Sequence, residues 1–501
     1  MKKTKQIVRP TVKAKSLAAS TMAFATGDGI EHVVVLMLEN RSFDHLLGSM
    51  KSVYPVLAGI DPTSPGVNYD GTTAYPQTPK ARFILPYGVD PKHELVDVRE
   101  QLTFNGSCGG FVHNFIRNYQ NKQSSAPQVM AYFDRQGTNR LPVLHTLAES
   151  FTICDHWFSS VPGPTWPNRF FVHSGTSNGW VHMPTLFHNW HDYNQTTLYD
   201  RLNERNISWK IYFDDIPQSL QLTNQRQAKN KARYQIMSQF YVDAKGLEAK
   251  FPQYAFIEPC YFGGYENDQH PPANMMDGEV LIAKVYNALR ANDALWQKTL
   301  LVILYDEHGG FYDSVIPPPA TPPDALAGDG FDFKQLGLRV PALLISPYAP
   351  KGVVRDVFDH TSLLRYVSDK WNLGPLGART AAANSFANAL LTSPRTDTPA
   401  KIPIPSTAVA AQPALMAMAR KPGKPVRTAG KVLTPRPISD LQANLLTFSQ
   451  LLDAQINEPA ANKVRRVKRS MKSAEDHTAV AKERVKKFLA PQKRRAKRRQ
   501  H

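Results

Sequence analysis

The chain has 501 residues, 42% of them apolar and 20% charged, which suffices for one large α/β domain or two to three average ones. No stretch reaches the roughly 18 to 20 consecutive apolar residues of a membrane-spanning helix, so an integral helical membrane protein is excluded. Of the net charge of +18, residues 461–501 supply +13 from 16 basic and 3 acidic residues, so the body is ordinary and the tail extreme.

Residues 1–28 begin MKKTKQ, cross a short weakly apolar stretch at 17–24 and reach an A-x-A-like pattern at Ala23, Phe24 and Ala25. Read as a weak signal segment, this predicts a secreted or periplasmic protein; read as a basic disordered arm, it predicts a cytoplasmic one. Next comes HVVVLMLENRSFDHLLG, residues 32–48. Its apolar run at 33–38 reads as a strand buried on both faces, in the middle of a parallel sheet. In open α/β sheets ligands gather beyond the carboxyl ends of strands, which makes Glu39 and Asn40 candidate site residues.

In SSVPGPTWPNRFFVHSGTSNG, residues 159–179, Pro167 suits the first turn of a helix. Thr165, just ahead of it, stands where free backbone N–H groups and the helix dipole converge on an anion. An N-cap role fits the same position. With a metal cation beside it to lower its pKa, the hydroxyl becomes a nucleophile for phosphorus.

Further apolar runs at 208–213, 254–257, 299–304 and 342–345 alternate with helical patterns at 278–298 and 360–372. This predicts an α/β fold with a mostly parallel central sheet and helices on both faces. The run at 299–304 ends in Asp306, Glu307, His308 and a Gly-Gly pair, the same design as the opening stretch. Three carboxylates at one sheet edge are unfavourable unless a cation or protons compensate. Oxygen ligation by Glu39, Asn40, Asp306 and Glu307 suits one hard divalent ion, Ca²⁺, Mg²⁺ or Mn²⁺.

Residues 29–383 thus read as a catalytic domain, 384–435 as a Pro/Ala/Lys-rich linker, 436–460 as a short helical segment with Asp440 near its start, and 461–501 as a disordered basic tail. Such a tail attracts anionic membrane or nucleic acid through phosphates. Cys108, Cys154 and Cys260 lack metal-site spacing and read as small buried apolar residues. No G-x-S-x-G elbow is present, which argues against a serine carboxylesterase.

Four motifs in order, ENRSFDHLLG, VPGPTWPNRFFVHSGTS, YDEHGGFYD and FDHTSLLRYV, lie within residues 31–373. Together they resemble the bacterial phosphoesterase family that contains phosphatidylcholine-hydrolysing phospholipases C, plant non-specific phospholipases C and related acid phosphatases. The resemblance implies an alkaline-phosphatase-like fold, metal binding by Glu39, Asn40, Thr165, Asp306 and Glu307, and Thr165 as nucleophile. It also places two histidines around the phosphoryl group: His93 from DPKHELVDV and His270 from ENDQHPP. Asn40 would hold phosphoryl oxygens as charge builds. The expected reaction is phospholipase C type cleavage of glycerophospholipids through a phosphothreonine. The alternatives are a phosphomonoesterase, the acid phosphatase reading, at the same site, or a non-catalytic basic-tailed binding protein. His45, His156, His173 and His308 read as packed or supporting residues, and His360 as an intermediate case. Ser314 stands where many members carry a histidine, which leaves a substrate contact missing or shifted.

Overall fold

The first apolar run is strand β1 (His32–Leu38), and all seven of its residues are buried, so both of its faces must be covered. The computed structural model describes residues 28–183, 193–263, 266–406, 438–457 and 474–490. Around β1 stand β2 (Thr152–Cys154), β3 (Trp209–Phe213), β4 (Tyr234–Ile236), β5 (Tyr254–Glu258), β6 (Thr299–Tyr305), β7 (Ala342–Ile345) and β8 (Gly352–Val354). They form one eight-stranded sheet in the order β8-β2-β7-β6-β1-β5-β3-β4. β1, β3, β4, β5 and β6 are mutually parallel, so their carboxyl ends share one edge. β7 is the exception, antiparallel to both β6 and β2. The mostly parallel sheet expected from the sequence is present.

Helices begin and end where the local chemistry dictates. α1 (Thr165–Ser174) follows Pro164 and stops at Gly175, whose φ of 75° is left-handed. The pattern at 278–298 is two helices: α2 (Met275–Arg290), and a short turn at Asp293–Trp296 that starts afresh because Asn292 caps Leu295 N. α3 (His360–Trp371) is capped by Asp359, which accepts from Thr361 N.

Away from the strand-end carboxylates, the core holds a buried ionic cluster around Arg339. Arg339, fully buried, lies 2.7 Å from Asp313 and 3.0 Å from Asp44, and also donates to Asp155 O at 2.9 Å. It anchors the loop after β6 to the segment after β1. Arg339→Met should destabilise the protein by about 3 kcal/mol or more, because two buried carboxylates lose their counter-ion. Denaturant unfolding of the variant checks this.

Three expectations about the chain outside this domain meet the structure differently. Residues 384–406, expected within a linker, pack on the domain: Phe386 and Ile402 are buried and Asn287 bonds Ile402 at both its N–H and its carbonyl. The remainder of that linker to 435, and the candidate signal segment at 1–27, lie outside the described residues. The short helical segment expected at 436–460 is helix α4 (Asp440–Asn457), which docks back on the domain, burying Leu441, Leu445, Phe448 and Leu452. The tail expected to be disordered contains α5 (Ala474–Leu489), whose Ala481, Val485 and Phe488 are buried. Its charge hid a short apolar stripe that becomes stable only against a preformed surface. All three cysteines are free and buried, as expected.

Candidate active site

Because β1 and β6 are adjacent and in register, Leu38 beside Tyr305, the residues that leave them arrive side by side. Asn40 N donates to Asp306 Oδ1 at 2.9 Å, and Arg41 N to Glu307 O at 3.0 Å. Asn40 itself has a left-handed φ of 56°, an uncommon conformation held by these bonds. The Gly-Gly pair explains itself here. A Cβ on Gly309 would lie 2.2 Å from Asn40 O, and one on Gly310 2.7 Å from Pro91 Cβ, on the loop that carries His93. Gly309→Ala should therefore push Asn40 aside, and a displacement on the order of 1 Å costs about a hundredfold in rate. The measurement is kcat/KM, with circular dichroism to confirm the fold.

Thr165 opens α1 at its first helical position and is 1% exposed. Pro164 occupies the N-cap position and no side chain caps the helix, so the N-cap role for Thr165 does not hold. Its Oγ1 instead lies 3.3 Å from Glu39 Oε2 and 3.4 Å from Asn40 Oδ1. One turn further on, Arg169 points back to the same place, 2.6 Å from Glu39 Oε1 and 3.4 Å from Asp306 Oδ2. Gln218 Nε2 donates to Glu39 Oε1 at 2.8 Å. Glu258, at the end of β5, fixes that glutamine by accepting from the N–H groups of Gln218 and Ser219.

The carboxylates are under electrostatic load. Burial pushes Glu39 up to about 8, with Arg169 opposing and Asp306 adding to the rise. Burial likewise raises Asp306, and takes Glu307 up to about 7. Asp306 Oδ2 and Glu307 Oε1 receive no hydrogen bond although buried. Arg169 Nε at 3.4 Å and His93 Nε2 at 3.7 Å are the cationic groups beside them, neither within hydrogen-bond geometry, which leaves room for a proton or a metal cation.

Both predicted histidines are at the site. His93 Nε2 lies 3.2 Å from Asn40 Nδ2 and 3.7 Å from Glu307 Oε1, and Nδ1 is 2.8 Å from Pro91 O. Burial opposes its charge, yet Glu307 and Asp90 raise its pKa to about 9. His270 stands with its ring centroid 6.5 Å from that of His93, and its Nε2 is 3.9 Å from Asp90. The supporting histidines sort as expected. His45 bonds Ala131 O, His173 meets Tyr199, and His156 meets Asp155. His308 lies between Gln101 and Glu307. His360, the intermediate case, is buried, with its pKa driven down to about 4 by burial; its Nε2 lies 2.7 Å from Asp306 O, so it supports the strand end. Ser314 is exposed and its backbone N–H bonds Asp44, so its hydroxyl supplies no contact inside the site.

The donor set of Glu39, Asn40, Thr165, Asp306 and Glu307 is all oxygen and buried, with two carboxylate oxygens unmet, and so fits a hard divalent ion. Among the described residues, a tighter His/carboxylate group is Glu31, His32 and Glu248, with donor atoms within 4.8 Å of one another. It lies at the opposite end of β1, where Lys298 stands 3.2 Å from Glu31 and 3.4 Å from Glu248 and already supplies the positive charge. Arg169, Gln218 and Glu258 escaped sequence reasoning. Arg169 lies inside the quoted TWPNRFF motif, four residues after Thr165 and hence on the same helix face, a signal that could have found it. Nothing local distinguishes Gln218.

The phosphoesterase family profile matches residues 30–374. Non-specific phospholipase C6 of Arabidopsis thaliana is 38% identical over 407 residues, 75% of each chain. Non-specific phospholipase C3 of the same plant is 34% identical over 411 residues, 75% of this chain and 76% of its own. Phospholipase C B of Mycobacterium tuberculosis is 30% identical over 400 residues, 69% of this chain and 74% of its own. A solved lipoteichoic acid synthase of Listeria monocytogenes is 8% identical at a TM-score of 0.36, covering 74% of this chain and 79% of that one.

Proposed function

Since the chain belongs to the phosphoesterase family and hydrolyses phosphate esters, we propose that it is a phospholipase C that splits glycerophospholipids into diacylglycerol and a phosphorylated head group. The plant and mycobacterial relatives named phospholipase C support the substrate class. One observation carries the chemistry: a buried hydroxyl at the first position of a helix, 3.3 Å from a carboxylate that burial makes, once ionised, a stronger base than an exposed one.

Thr165 gives its proton to the ionised form of Glu39 and bonds to phosphorus, while the phosphorus–oxygen bond to the diacylglycerol breaks. The first N–H groups of α1 and the amide of Asn40 hold phosphoryl oxygens as charge builds on them. His93, protonated at neutral pH, delivers a proton to the departing glycerol oxygen. Water then attacks the phosphothreonine and gives a proton to His93. The Thr165–phosphorus bond breaks, Thr165 recovers its proton from Glu39, and the phosphorylated head group leaves. A hard divalent ion held by Glu39, Asn40, Thr165, Asp306 and Glu307 would supply charge withdrawal at the reacting oxygens.

Incubation with phosphatidylcholine and with a nitrophenyl phosphate monoester, each with and without chelator, tests the proposal. Diacylglycerol should accumulate. Turnover of the monoester alone would replace this reading with the phosphomonoesterase one. His93→Gln refines the roles: loss of a general acid costs about 10² to 10⁴ in rate when the leaving group is an alcohol. The loss should be far smaller on a nitrophenyl phosphodiester, whose phenolate leaves without a proton. Equal losses on both would move the acid to His270.

A further inference from the structure

We propose that α5, together with Ile236, forms a docking surface for an anionic lipid bilayer and turns the catalytic edge of the sheet toward it. The proposal rests on the phospholipid reading above. α4 sits at the edge where the parallel strands end, and α5, packed on α4, reaches the segment that precedes β4. At one end of the pair, Gln442 Nε2 donates to Tyr261 O at 2.7 Å, in the loop after β5, and Asp440 lies 2.5 Å from Lys92, the neighbour of His93. At the other, Lys231 Nζ donates to Phe488 O at 3.0 Å and stands 3.4 Å over the Phe488 ring. Lys482 acts electrostatically on Asp214 and Asp215, which follow β3. α5 is therefore fixed on the domain through α4 and the segments flanking β3 and β4, and is no loose tail.

Its two faces differ. Ala481, Val485 and Phe488 recur at helical spacing and point inward, and Arg484 reaches Ser449 of α4 at 3.3 Å. Outward it shows Lys486, Lys487 and Val480, which is 40% exposed, with Glu483 3.8 Å from Lys487. Ile236, 59% exposed, ends β4 and pairs with Phe213, the residue before Asp214, which places it next to the segment that Lys482 faces. Exposed Lys229 and Arg233 lie just before β4, the outermost strand of the sheet. In sequence, α5 is bracketed by the basic runs KVRRVKRS and KRRAKRR. Cations interspersed with protruding aliphatic side chains match a bilayer interface, where head groups take the charge and acyl chains take Ile236 and Val480. A nucleic acid backbone would leave both aliphatic side chains without a partner, so the lipid surface is the occupant. The surface lies beyond residue 374, where the family match ends, apart from the segment around Ile236.

The test uses the full-length protein and vesicles of phosphatidylcholine, with or without an equimolar amount of phosphatidylserine, over a salt series. Lys486→Glu/Lys487→Glu should lower co-sedimentation with the anionic vesicles by about 30-fold or more, and added salt should weaken wild-type binding. Ile236→Ser should lower it several-fold without changing the salt slope. Hydrolysis of vesicle lipid should fall in step, while hydrolysis of a monomeric short-chain phosphodiester stays at the wild-type rate. Unchanged vesicle binding in both variants overturns the proposal. Retention on a DNA duplex with no vesicle binding by the wild type also overturns it, in favour of nucleic acid. If the wild type hydrolyses neither the vesicle lipid nor the soluble diester, the phospholipase reading fails, and vesicle binding alone decides the docking surface.

Discussion

Thr165→Ala should lower turnover by about 10⁴-fold or more while leaving the protein folded. Removing a nucleophile abolishes the first covalent step and leaves only binding and electrostatic stabilisation behind. The structural cost is small because Thr165 Oγ1 makes only two long contacts, at 3.3 and 3.4 Å, and does not cap its helix. Losing them costs on the order of 1 kcal/mol, well within the stability of a domain this size. Thr165→Ser keeps the hydroxyl and should retain measurable activity. Rapid acid quenching with substrate, followed by mass spectrometry, should find the phosphorylated adduct on the peptide that starts α1, and none in the alanine variant. Substantial activity in Thr165→Ala, or an adduct elsewhere, would remove Thr165 from the role.

Chelation should reduce activity to background, and Asp306→Ala should do the same while lowering the divalent ion content of the purified protein. Asp306 contributes one carboxylate to a buried group of three, and its Oδ2 receives no hydrogen bond from the protein. Burial disfavours ionisation of Glu39, held up to about 8, and of Glu307, up to about 7. A cation must displace protons from both, so its affinity should strengthen as pH rises through about 7 to 8 and weaken below that window. Metal titration of the chelator-treated protein at several pH values checks the sign. Elemental analysis that finds no bound divalent ion, together with indifference to chelators, would leave Arg169 and His93 as the cations that balance these carboxylates.

Several features were legible in residue order because they are local. A six-residue apolar run ending in Glu39 and Asn40, and another ending in Asp306 and Glu307, each announce a buried strand with acidic residues beyond its end. Period and punctuation likewise mark α3, α4 and the start of α1. Even the closeness of Glu39 and Asn40 to Asp306 and Glu307 followed from one general rule about parallel sheets. Short strands such as β2, β4 and β8 were not legible, since two or three residues carry no period and are held by their partners. The break at Asn292 was equally silent, because an asparagine cap is indistinguishable from an exposed polar helix residue until its side chain meets Leu295 N.

The sequence by itself determined the strand-end carboxylates, the candidate hydroxyl of Thr165 and the concentration of positive charge after residue 460. Each is a matter of residue type and near-neighbour spacing. Only the tertiary structure decided that Arg169 and Gln218 hold Glu39, that Thr165 is not a cap, that residues 384–406 belong to the domain, and that α5 is a docked helix. These outcomes depend on which surfaces meet. A buried ion pair such as Arg169 with Glu39 forms between residues 130 positions apart, and an apolar stripe of three residues stabilises a helix only when a partner surface removes it from water.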